Sequence, residues 1–208
     1  MRIGLAPAGV RPHRSRALII PLEQSLAVHA WIAEGVDRAA EELADCHAFD
    51  SEITVLETRC WPLAELGSLG FEGGEELIAG VLCAVRGRLS GAGLLSMEPE
   101  DALAWVLADG PAADALARYV ELGGRVLAAV ARAAASALQV EVEVGAARLE
   151  EASVAGSLVR THAPSDTVVV GSRLELRAGG QRFAAQLHLV MEPKVVSALL
   201  GALAVSLH

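Results

Sequence analysis

Between Leu22 and Ala44 apolar residues fall mostly three or four positions apart, at Leu26, His29, Ala30, Ala33, Val36, Ala40 and Leu43, with Glu34, Arg38, Glu41 and Glu42 filling the gaps. That period predicts one amphipathic helix. Ser51 to Cys60 alternates instead, placing Ile53, Val55 and Cys60 among polar neighbours, and so predicts a strand that Trp61 and Pro62 stop. Leu66 to Gly74 reads as a glycine-rich loop. Glu76 to Arg86 and Arg88 to Met97 read as two strands joined at Gly87, and Pro99 as the first residue of a helix through Leu107.

The same order of elements then returns. Pro111 to Leu138 predicts a long helix, almost free of charge from Val126 onward apart from Arg132, so most of its circumference should be buried. Val140 to Leu149 alternates as a strand. Thr167 to Leu176 and Gln181 to Met191 flank Arg177-Ala178-Gly179-Gly180, whose glycines suit a hairpin turn. Pro193 opens a last helix, Lys194 to about Ala204.

The two halves also share wording. Leu95-Ser96-Met97-Glu98-Pro99 and Leu189-Val190-Met191-Glu192-Pro193 stand ninety-four residues apart, and in that register Arg88 matches Arg182, Leu89 matches Phe183 and Ala104 matches Ala198. A unit this long that occurs twice points to two half-domains about a pseudo-twofold axis rather than to a solenoid. The expected fold class is α+β: a duplicated αβββα unit forming an antiparallel sheet of about six strands with helices packed on it. Residues 1–21 form an N-terminal extension, and 22–208 a single domain of half-repeats 22–109 and 110–208.

Composition narrows the setting. With 208 residues, 53% of them hydrophobic, the chain can bury a substantial core. No apolar run is long enough to span a membrane, and Ala17 to Pro21 is too short for a signal-peptide core, so the expected location is the cytoplasm. The net charge of −9, with acidic residues dispersed, argues against nucleic acid as a partner. Cys46, Cys60 and Cys83 lack C-x-x-C spacing, which favours neither disulfides nor zinc, and no cofactor is expected.

This order of elements, with Gly87-Arg88-Leu89-Ser90-Gly91-Ala92-Gly93-Leu94-Leu95 and Pro99-Glu100-Asp101-Ala102-Leu103 after it, resembles the CheC/CheX/FliY family of chemotaxis phosphatases. The likeness runs from about Leu22 to the C-terminus. It implies two similar halves and removal of phosphate from the response regulator CheY. In that family Glu-x-x-Asn on a long helix does the work, and a proline further along begins a strand segment. The implied chemistry has Glu dock on a regulator lysine while the Asn amide orients a water in line with the aspartyl phosphate.

On this chain the resemblance puts Glu121 at the glutamate position, Gly124 at the asparagine position and Ala147 at the proline position. In the first half the comparable pair is Glu34 and Asp37, with Leu56 at the proline position. Asp37 has no amide donor and would set negative charge beside a phosphoryl group. The chain contains no asparagine at all. The expectation is therefore a CheC-like signalling protein that binds a CheY-like response regulator or a flagellar-switch protein, with phosphatase activity lost or impaired. Two alternatives stand beside it: an active phosphatase docking through Glu121, and a non-catalytic module that forms a homodimer. Plainer accounts exist too, since a glutamate in the first turns of a helix is favoured by the dipole, and Gly123-Gly124 would suit a tight helix crossing.

Overall fold

The computed structural model describes residues 22–47, 51–63, 78–108, 110–154, 157 and 167–206. The glycine-rich loop expected at 66–74 and the extension 1–21 lie outside these. In chain order the elements are α1 (Leu22–His47), β1 (Ser51–Pro62), β2 (Ile78–Gly87), β3 (Gly91–Met97), α2 (Pro99–Leu107), α3 (Ala115–Leu138), β4 (Val142–Val144), β5 (Arg148–Ala152), β6 (Val168–Ala178), β7 (Gln181–Met191) and α4 (Pro193–Ser206). The last of these meets the sequence expectation to within two residues at its end.

All strand pairings are antiparallel, in the order β1-β6-β7-β3-β2-β4, with β5 also on β2. Seven strands stand where about six were expected because the strand read over Val140 to Leu149 is broken. Val144 pairs with Val85 and Arg148 with Leu82, so three residues face two on β2. That is a β-bulge, and the Gly145 N–H donating to the Ala84 carbonyl at 2.8 Å holds it in place. β1 carries a matching irregularity: Val55 pairs with Leu174 and Glu57 with Arg173, leaving Leu56 over. Contrary to expectation β1 continues through Pro62, which an outermost strand tolerates because a missing N–H costs no ladder bond on its outer side.

The central pairing has a simple symmetry. Gly91 pairs with Met191, Met97 with Ala185 and Leu94 with His188. Adding 94 to 91, 94 and 97 gives 185, 188 and 191, so the partners exchange about the Leu94–His188 pair under the same offset that aligns the two halves in sequence. β1 lies against β6, and β4 and β5 lie against β2.

The helices cover one face and bury the larger core, with Trp31, Ile32, Val81, Leu95, Trp105, Leu122 and Leu127 in it. A smaller cluster that includes Trp61, Leu82, Leu94, Val169 and Val190 lies on the opposite side of the sheet. The buried face of α1 is turned from the one its spacing suggested. Val28, Trp31, Ile32, Val36, Ala39 and Leu43 are buried, while Leu26 is 61% exposed. The large Trp31 and Ile32 side chains decide the rotation, and Gly35 fixes the depth of contact, since a Cβ there would lie 2.8 Å from the Val130 Cα of α3. On α3 the long uncharged stretch is buried as expected, from Val126 to Ala135 with the exception of Ala128 and Arg132.

Candidate functional site

α3 begins later than Pro111 because Asp114 caps it, its side chain accepting the Ala117 N–H at 2.9 Å. Seven residues on, Glu121 is exposed and paired with Arg125 at 3.6 Å. Gly123 and Gly124 follow where the helix presses on the sheet. A Cβ at Gly123 would stand 2.7 Å from the Val81 Cγ2, and one at Gly124 would stand 2.7 Å from the Ala147 Cβ. The close approach expected of this glycine pair exists, but it is to a strand and a bulge rather than to another helix.

The structure thus brings Glu121, Gly124 and Ala147 together. All three line an open groove of about 920 Å³ between α3 and the β4–β5 bulge. Val142, Val144 and Leu149 give it an apolar floor. Its charged rim is mixed: Glu42, Asp114 and Glu121 against Arg125, Arg132 and Arg148. Arg132 is held by both Glu42 oxygens, at 2.6 and 2.7 Å, which ties α3 to α1. Cys83 also reaches the groove, but burial pushes its thiol up to about 11, so it stays protonated at neutral pH and is no nucleophile.

At position 124 the chain presents only backbone, and that backbone lies inside a helix. A groove wall built this way can seat a ligand's side chains but offers no amide there to hold a water. The first half is different. Glu34 is exposed and ion-paired with Arg38 one turn on, and Asp37 is exposed. Leu56 lines a cavity of about 160 Å³ with Arg173 and Gln186 of the neighbouring strands, and α1 contributes nothing to that cavity. Among the described residues, Glu34 and Asp37 do not share that cavity with Leu56. Sequence reasoning missed Arg125, Arg132 and Arg148, because the bulge that sets Arg148 opposite α3 leaves no local signature.

Among the described residues no group of three or more His, Cys, Asp or Glu is placed to hold a metal ion, and no helix is long and apolar enough to cross a membrane.

No family model matches the chain, and no curated protein matches it. Solved structures do. Thermotoga maritima FliY aligns over 90% of this chain and 98% of its own, with a TM-score of 0.68 and 16% identity. The FliM middle domain from H. pylori aligns over 88% and 99%, with a TM-score of 0.59 and 12% identity. A chain of the H. pylori FliG-FliM complex aligns over 88% of this chain and 100% of its own, with a TM-score of 0.59 and 15% identity. The chain shares the fold of FliY and of the FliM middle domain.

Proposed function

We propose that this chain is a cytoplasmic signalling protein that docks a response regulator or a flagellar-switch protein through the α3 groove and does not remove phosphate from it. The observation that carries the reading is at Gly124. The position that the family resemblance assigns to a water-orienting asparagine has no side chain, and the Ala147 methyl takes up the space into which one would start to grow. Hydrolysis in line with an aspartyl phosphate depends on a fixed water, and positioning of that kind supplies much of the rate. Glu121, exposed on the same helix face, keeps the docking role.

The mixed charge of the rim and the apolar floor suit a protein partner better than a small metabolite. The switch-protein class draws support from the structural neighbour solved as a FliG-FliM complex. We further read residues 22–109 and 110–208 as two half-repeats of one domain, a reading supported by the exchange of partners about Leu94 and His188 under the 94-residue offset. Among the described residues, Glu121, Gly124 and Ala147 of the second half line one groove, whereas Leu56 of the first half lines a cavity without Glu34 or Asp37.

Titration of the chain with a phosphorylated CheY-like regulator, and separately with a FliG-like switch protein, tests the docking. Saturable binding to one of them that weakens about tenfold in Glu121→Ala is expected, since one charge pair at an interface is worth on that order. Absence of binding to both, in a chain that sediments as a tight dimer, would favour a structural module.

A further inference from the structure

The groove's acidic groups are largely engaged within the chain. Asp114 caps α3 through the Ala117 N–H, and both oxygens of Glu42 are held by Arg132. Its arginines retain hydrogen-bonding capacity. Arg125 sits one residue past Gly124, and its Nε is shielded from solvent without an acceptor. Its contact with Glu121, at 3.6 Å, is longer than a hydrogen bond. Across the groove, Arg148 uses its Nε on Glu150 at 3.0 Å and remains 61% exposed. A guanidinium carries five donors, so two such groups on facing walls have room for a further acceptor.

From this we infer that Arg125 and Arg148 form an anion clamp in the α3 groove that receives a carboxylate from an acidic segment of the docked protein. The inference rests on the docking reading above and names the chemistry of what docks. A carboxylate entering between the two walls supplies the acceptor that the Arg125 Nε lacks and meets a second guanidinium in the same step; charge-assisted bonds of this kind are the stronger ones. Val142, Val144 and Leu149 beneath then seat the apolar residues that flank the acidic one. A protein segment is favoured over a free anion because the groove, at about 920 Å³, is far larger than one small ion needs and its floor is apolar.

The test uses the full chain and a fluorescein-labelled peptide in which glutamates alternate with leucines, read by anisotropy at low and high salt. The expected result is salt-sensitive binding that falls about tenfold or more in Arg125→Gln and in Arg148→Gln. Arg59→Gln and Arg182→Gln, on strands remote from the groove, should bind as wild type. Arg125→Lys guards against a folding defect: it keeps charge and helix propensity but loses the fork, and should bind between wild type and Arg125→Gln. Equal weakening by all four glutamine variants, or none by the two groove variants, overturns the clamp. So does inorganic phosphate that competes as strongly as the peptide, which would make this a small-anion site. The two readings fail separately. A regulator or switch protein that binds wild type and Arg125→Gln alike leaves docking standing without the clamp, whereas peptide binding with no protein partner leaves the clamp without the docking.

Discussion

Replacing Gly124 by alanine sets two effects of known sign against each other. In a helix interior the change should stabilise by about 0.8–1.0 kcal/mol, because glycine loses more backbone entropy than alanine on folding. The new methyl, however, would start 2.7 Å from the Ala147 Cβ, when ordinary contact between carbons needs about 3.5–4.0 Å. Ala147 cannot simply retreat, since Gly145 is bonded to the Ala84 carbonyl on one side and Arg148 is in register with Leu82 on the other. Overpacking of this sort costs about 1–3 kcal/mol. Gly124→Ala should therefore be neutral or destabilising by up to about 2 kcal/mol in urea melts. In an Ala147→Gly background the same substitution should recover the helix gain of about 1 kcal/mol. The coupling energy of the cycle is then about 1–3 kcal/mol. A Gly124→Ala protein stabilised by its full helix-propensity gain, with coupling below about 0.5 kcal/mol, would refute the idea that the bulge occupies this space.

Gly123→Ala meets the Val81 side chain at 2.7 Å in the fully buried core, and after the helix gain it should be neutral or lower urea stability by up to about 2 kcal/mol. Asp114→Ala removes the α3 cap and should cost about 1 kcal/mol, while Asp114→Asn should cost much less. Burial lowers His188 from 6.5 to about 4, so between these values the folded state binds fewer protons than the unfolded chain. Its contribution to stability is complete above about pH 6.5 and is lost as the pH falls towards 4, a change of about 3 kcal/mol that His188→Gln should remove from a pH series of urea melts. Arg132→Ala breaks a half-exposed pair with Glu42 and should cost under about 1 kcal/mol, less at high salt, by the same assay.

Much of this fold was legible in the chain. Pro99, Pro193 and the Gly179-Gly180 turn fix element ends through backbone restrictions that act locally, and the observed boundaries of α2 and β7 coincide with the sequence reading. The 94-residue echo was readable for a related reason, since Met97-Glu98-Pro99 and Met191-Glu192-Pro193 each end a strand and open a helix. The rotation of α1 was not, because a stripe of small alanines gives spacing without bulk, and Trp31 and Ile32 decide burial by size. Nor was the bulge at 145–147, whose extra residue shows only against β2. Of the candidate site, the resemblance pointed to Glu121, Gly124 and Ala147, which line one groove, whereas Glu34 and Asp37 line none of the cavities described above. Arg125 and Arg148 are distant in sequence, and what joins them is the tertiary contact at Gly124.

The rate of phosphate loss from a phosphorylated CheY-like regulator, with and without a saturating amount of this chain, tests the central claim most directly. The account predicts a complex that forms and leaves that rate unchanged. Faster loss of phosphate that returns to the basal rate in Glu121→Ala would contradict it.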